Sequence, residues 1–247
     1  MTRVRGQKRI RWWAALLAVI VALVAVLILV NRQPPRPDSV AGGSSLLVLT
    51  WAPTLCIVDT SVRGCRTGNV GRKGQAFLLH GLWPQPSSAQ YCEVAKQDGR
   101  QRISDLPAGL RERLTATMSD ASTLAPHEWS KHGTCSGVTA VEYFSIATAL
   151  SAQATAVLDP ALRNAQGGRV TARALRDLFD ARFGAGSGSR IALACRRADG
   201  QGEVVYEVRL SLPAVPDLRA AGSDLSLGEE LAKAPTVPAG CGQARVP

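Results

Sequence analysis

Six cysteines lie downstream of an export segment, and together the two features narrow the chain to a disulfide-stapled domain. Residues 1–11 hold five basic side chains, Arg3, Arg5, Lys8, Arg9 and Arg11, and lead into an unbroken apolar stretch from Trp12 to Val30. A cleavable signal core spans ~7–15 residues and a bilayer-crossing helix about 20, so residues 12–30 are expected to act as a membrane signal-anchor. The basic excess on the N-terminal side keeps residues 1–11 cytoplasmic and exports the rest of the chain, to the periplasm or the cell surface. Cleavage near Ala41 is the alternative, and it would release a secreted protein. Residues 31–45, NRQPPRPDSVAGGSS, read as a Pro- then Gly/Ser-rich linker, and the folded domain is expected over 46–247. In an oxidising compartment the even set Cys56, Cys65, Cys92, Cys135, Cys195 and Cys241 reads as three disulfides. Six cysteines allow fifteen pairings, and spacing alone does not choose among them. No pair has CxxC spacing, which speaks against a zinc cluster.

The chain has 247 residues, 46% hydrophobic and 19% charged, which suits one globular domain rather than a disordered chain. Of the net charge of +10, residues 1–38 carry +6, leaving a domain at +4. Such a surface permits a polyanionic partner without demanding one. Stretches 45–53 (SLLVLTWAP) and 76–79 read as buried strands. Leu106, Leu110, Leu114 and Met118 recur at fourfold spacing and predict a helix. Residues 140–158 predict a longer one, and 171–184 a third, capped by Thr171 and closed by Gly184. Residues 190–212 read as a β-hairpin, and from Pro213 the pattern dissolves into a tail stapled by Cys241. Helices and strands in separate runs argue for an α+β fold. A monomer is expected.

Function is concentrated in the histidines. The chain has three, His80 in HGLWP and His127 and His132 in PHEWSKHGTC. Histidine is the side chain whose ordinary pKa lies nearest neutrality, so any proton-transfer chemistry based on it must use these. The second stretch resembles the H-E-x-x-H zinc box, but its histidines are five apart rather than four. If PHEWSKH is a helix started by Pro126 and closed by Gly133, His127, Lys131, Glu128 and His132 fall at about 0°, 40°, 100° and 140°. They share one polar side, and Trp129 faces the core. The histidines lie too far apart around the helix to chelate one ion, so no metal and no cofactor is expected. The face suits phosphoryl transfer. Cleaving RNA without metal needs a base for the 2′-OH and an acid for the leaving 5′-oxygen, on opposite sides of phosphorus. His80, from another segment, supplies the second imidazole. Lys131 is placed to stabilise phosphorane charge, and Glu128, one turn before His132, to partner it.

Here FLLHGLWP and HEWSKHGTC resemble the two active-site signatures of the ribonuclease T2 family, the transferase-type acid endoribonucleases. Weaker likeness covers TWAPTLC, Tyr143–Phe144, RFG at 182–184, and IALAC followed by YEVRL. The Ala- and Arg-rich composition suggests a bacterial-like exported member. The resemblance implies an antiparallel sheet with helices packed against it. It implies His132 as general base, His80 as general acid, and His127, Glu128 and Lys131 as the phosphate-binding and transition-state-stabilising group. It implies that RNA is cleaved through a 2′,3′-cyclic phosphate to a 3′-phosphate, and that DNA is not a substrate. It implies stacking of a base on Trp83, with Gln85 in the base-reading position. Tyr91 is a further candidate for a base contact. The disulfides implied are Cys56–Cys65, Cys92–Cys135 and Cys195–Cys241. The chain departs from many relatives at Gln85, where some carry Asp or Asn, at Leu124–Pro126, and at Ser211, where many eukaryotic members have cysteine. Two readings of other classes stand beside this one: a non-catalytic RNA-binding protein on the same scaffold, and a metallohydrolase, which the histidine spacing weakens.

Overall fold

The computed structural model describes residues 43–86, 92 and 102–247. The apolar stretch 12–30, most of the linker, and Tyr91 lie outside these residues. Among the described residues no helix is long and apolar enough to cross a membrane.

The architecture is α+β, built on one six-stranded sheet. Strand β1 (Ser44–Trp51) pairs antiparallel with β2 (Phe77–Gln85) on one side and with β5 (Gly202–Pro213) on the other. β4 (Ile191–Ala198) forms the expected hairpin with β5. The order then continues from β5 to β6 (Gln243–Arg245) and β3 (Arg169–Thr171). β6 runs parallel to β5 and antiparallel to β3, so the sheet is mixed, not purely antiparallel as expected.

Helices cover one face. α4 (Ala108–Thr117) follows the fourfold leucine spacing, and Leu106, Leu110, Leu114 and Met118 are all buried. α6 (Ala140–Asn164) starts at a capping box in which Thr139 Oγ1 accepts from Glu142 N–H and Glu142 Oε2 accepts from Thr139 N–H. It runs six residues past the expected end, through Pro160, because Leu158 and Leu162 are both fully buried and keep its apolar face on the core. α7 (Ala172–Phe183) is capped by Thr171, and Gly184 ends it at a positive φ of 102°. These helices and the sheet enclose the main core around Trp51, Tyr143, Phe144, Leu150 and Phe179. A smaller cluster of Ala52, Leu55, Val70 and Leu78 packs elsewhere, under short helices α1 (Ala52–Val58), α2 (Arg63–Arg66) and α3 (Asn69–Lys73).

Several expectations need correction. β1 begins at Ser44, inside the segment read as linker, and ends at Trp51, where Pro53 sits in the first turn of α1 instead of merely stopping a strand. The region after Pro213 is folded: α8 (Val215–Ala220), α9 (Leu227–Lys233) and β6 bury Val215, Leu218, Leu227, Leu231 and Ala244. These pieces are too short to reveal a period in the sequence. The disulfides are Cys56–Cys65, Cys92–Cys135 and Cys195–Cys241, as the family likeness implied.

Two β-bulges interrupt the sheet where it matters most. Between β1 and β2 the register passes from Leu49↔Leu79 to Val48↔Gly81, leaving His80 as the extra residue. Phe77 and Leu79 before it and Leu82 after it all reach the main core, so the bulge inverts the side-chain alternation. Between β4 and β5 the register passes from Ala194↔Glu207 to Cys195↔Val205, leaving Tyr206 as the extra residue. β2 is an edge strand among those described, paired with β1 alone. The Tyr143 hydroxyl, reaching out of α6, donates to Leu82 C=O at 2.6 Å and accepts from Leu82 N–H at 3.2 Å.

Candidate active site

The second signature is helical, but it does not start where expected. α5 (Ala121–Glu128) already contains Pro126, and Trp129–Gly133 continue it as a π-turn in which Thr134 N–H bonds back to Trp129 C=O at 2.9 Å. Pro126 lies inside α5, past the first turn whose N–H groups have no intrahelical acceptor, so it costs the helix one backbone hydrogen bond. π-turns of this sort recur at functional sites because they redirect side chains from the ordinary helical ladder. Trp129 packs against the core and meets Tyr143 edge-on at 5.8 Å, as its position predicts. Gly133 is required beneath it, since a Cβ there would overlap the indole.

α5 and the π-turn pack on the edge strand, and this contact brings the two signatures together. Glu128 is fully buried at the junction. Its Oε1 lies 3.6 Å from His80 Nε2, and its Oε2 lies 3.9 Å from His132 Nε2. Trp83 Nε1–H donates to the same Oε2 at 2.8 Å. Both imidazoles thus flank one carboxylate. The Trp83 ring stacks on His132 at 5.1 Å and 25°, meets His80 edge-on at 5.1 Å, and has the Arg209 guanidinium 5.7 Å from its centroid. Trp83, expected to hold a base, is therefore also the part that braces Glu128 and both histidines. Gln85 ends β2, and its side-chain amide donates to the Trp83 and Pro84 carbonyls. Lys131 is half-buried on the π-turn and His127 exposed one residue before Glu128.

The other side of His80 has no counterpart in the sequence reading. Its Nδ1 lies 3.1 Å from Glu207 Oε1 and 3.4 Å from Thr50 Oγ1. Glu207 Oε2 in turn accepts from Arg209 Nε at 3.0 Å and Nη2 at 2.8 Å. The available signal is the acid and base at i and i+2 in VVYEVRLSL, which share one face of an otherwise apolar strand.

Electrostatics separate the groups. Burial lifts Glu128 to about 7, against the lowering influence of His80 and of the Trp83 hydrogen bond. Burial also opposes ionisation of Glu207, yet the His80 hydrogen bond and the His80 and Arg209 charges hold it below the usual carboxylate range. For His80, burial disfavours the cation, but the Glu207 hydrogen bond and the fields of Glu128 and Glu207 outweigh it and Arg209, and its pKa is raised. Burial, followed by the His80 and Lys131 charges, lowers His127. Two carboxylates on opposite sides of one imidazole, pushed in opposite directions, are the arrangement that acid–base catalysis uses. Beside His80 opens a cavity of about 220 Å³, bordered by Thr50, Leu78, Ser119, Leu124 and Tyr206. Among the described residues no three His, Cys, Asp or Glu side chains are grouped to hold a metal ion.

The model of the Ribonuclease T2 family matches residues 42–222, which take in both signatures and the strands that carry them. The chain belongs to this family. Among curated T2 relatives, Ribonuclease 1 of Arabidopsis thaliana is 30% identical over 140 residues, 51% of this chain and 60% of its own length. A ribonuclease of Aeromonas hydrophila is 33% identical over 42% of each chain. The chain thus spans about two-fifths to three-fifths of the length of these relatives. The T2 fold is shared with a solved structure of an RNase MC1 mutant in complex with 5′-UMP, at a TM-score of 0.55 and 22% identity, covering 72% of this chain and 90% of that one. The three disulfides of this T2 member fit an extracytoplasmic compartment.

Proposed function

We propose that the chain is an exported, metal-independent endoribonuclease that cleaves RNA by transphosphorylation. The observation that carries this reading is the flanking of one buried carboxylate by His80 and His132 Nε2 atoms, at 3.6 and 3.9 Å. His132 takes the proton of the 2′-OH, and the 2′-oxygen forms a bond to phosphorus. His80 protonates the 5′-oxygen as its bond to phosphorus breaks, leaving a 2′,3′-cyclic phosphate. Water then opens the ring with the two imidazoles exchanging roles, and the product is a 3′-phosphate. Lys131 and the Glu128 carboxyl face the charge that builds on the phosphoryl oxygens, and His127 holds the phosphate. A residue that must donate a proton benefits from a raised pKa, which His80 has. Trp83 and Gln85 contact the base. Imidazoles move both protons and a lysine meets the charge, so no step calls for a metal. DNA, lacking the 2′-OH, is not cleaved. Residues 12–30 would hold the enzyme to the membrane outside the cytoplasm.

The decisive experiment digests RNA in EDTA with the wild type and with His132→Ala and His80→Ala. Wild-type cleavage with cyclic-phosphate ends is expected, with each variant slowed by ~10²–10⁴-fold. Loss of wild-type activity in EDTA, restored by zinc, would favour the metallohydrolase. Binding without cleavage would favour the non-catalytic scaffold.

A further inference from the structure

We infer that Glu207, gripped by Arg209, is a positioning residue that fixes the orientation and protonation site of His80. This inference rests on the proposed role of His80 as general acid.

The geometry is specific. His80 and Glu207 belong to β2 and β5, which are separated by β1 and thus by roughly 10 Å of sheet. Each is set at or beside a bulge, His80 being the extra residue of one and Glu207 following Tyr206, the extra residue of the other. Their side chains meet over Thr50, which is directly paired with Glu207 across β1 and β5. Thr50 Oγ1 is itself 3.4 Å from Nδ1. Both oxygens of Glu207 are engaged, Oε1 by His80 and Oε2 by the Arg209 fork, and the side chain is only 3% exposed.

An ionised carboxylate can only accept, so Nδ1 must carry the proton. That leaves Nε2 as the nitrogen that exchanges a proton with substrate, on the side facing Glu128. The His80 hydrogen bond and charge, joined by the Arg209 charge, keep Glu207 ionised against burial, so Nδ1 carries a proton whether the ring is neutral or cationic. The charged groups around His80 are Glu207 and Arg209 from β5 and Glu128 from α5, with His127 coupled to it from the same helix. Glu207 and Glu128 favour the imidazolium, and Arg209 opposes it. Removing Glu207 or Arg209 therefore moves His80 in opposite directions, which a purely structural brace would not do.

The test uses the full chain, a mixed-sequence RNA oligonucleotide, and the same oligonucleotide with a bridging 5′-sulfur. The sulfur leaves without needing a proton. Glu207→Gln is expected to lower kcat on ordinary RNA by about 10–100-fold, a fraction of the ~10²–10⁴-fold of a general acid, with KM little changed. The defect should largely vanish on the 5′-thio substrate, as the His80→Ala defect should. His80, followed by NMR, should titrate lower in Glu207→Gln and higher in Arg209→Met. The second variant, at a half-exposed position, keeps the test available if the first does not fold. If His80→Ala cleaves ordinary RNA normally, the proposed role of His80 fails. If His80→Ala is impaired but neither variant shifts the His80 titration, the Glu207 inference alone is overturned. The same holds if the Glu207→Gln defect persists undiminished on the 5′-thio substrate.

Discussion

Gly81 and Glu128 occupy one space: a Cβ added at Gly81 would collide with the Glu128 carboxylate and come within 2.8 Å of Trp83 Nε1. The glycine of the first signature is thus the slot into which the glutamate of the second is pressed. Gly81→Ala should push Glu128 off Trp83 and off both histidines. We expect a loss of about 1–3 kcal/mol in denaturant-induced unfolding, as for other overpacked sites, with a disproportionate fall in RNA cleavage. A variant with wild-type turnover would show that the carboxylate need not sit there.

Glu128 and His80 together tie stability to pH. Glu128 ionises at about 7 when folded and near its ordinary value of 4.5 when released. Between those values the folded chain keeps a proton that the unfolded chain has given up, so stability declines as pH rises from 4.5 to about 7 and then levels. His80, whose folded pKa is raised above 6.5, acts in the same sense. Its contribution is complete below 6.5 and fades as pH climbs through the folded value. Urea unfolding at a series of pH values from about 5 to 8 should show the decline, and Glu128→Gln should flatten much of it. An identical slope in the variant would contradict the assignment.

Lys131 is half-buried on the π-turn beside His132. If it meets the charge on the phosphoryl oxygens, Lys131→Ala should reduce kcat by ~10²–10³-fold. Steady-state kinetics decide this, and an unchanged rate would make it an ordinary surface cation.

Cys135 comes just after the π-turn and is tied to Cys92, 43 residues earlier. Closing a loop of that length stabilises by about 4 kcal/mol on the chain-entropy estimate. Cys92→Ser with Cys135→Ser should lower the urea midpoint accordingly. Activity should fall as well, because the segment holding Lys131 and His132 loses its anchor. Unfolding and RNA cleavage, measured on the double variant, test both.

Much of the molecule is legible in its sequence. The leucines of α4, the cap at Thr171 and the stop at Gly184 are local signals, and local physics honours them. The candidate catalytic set is legible because all three histidines lie in two short signatures. The sequence conceals whatever depends on a partner strand. The bulge at His80 exists only relative to β1, and the one at Tyr206 only relative to β4. Glu207 reads as one residue of a hairpin, because its neighbour His80 is 127 positions away. Pro126 suggests a helix start because proline commonly occupies that place, yet tertiary packing begins α5 five residues earlier.

The Tyr143 hydroxyl that holds both main-chain groups of Leu82 has a consequence beyond local order. β2 carries the first signature on an outer strand, the kind of border along which a neighbouring chain can zip and seed insoluble material. A phenol fastened at its middle withdraws the vacant donor and acceptor that such a recruit would need. At Leu82, then, an incoming strand would have to displace Tyr143 before it could pair.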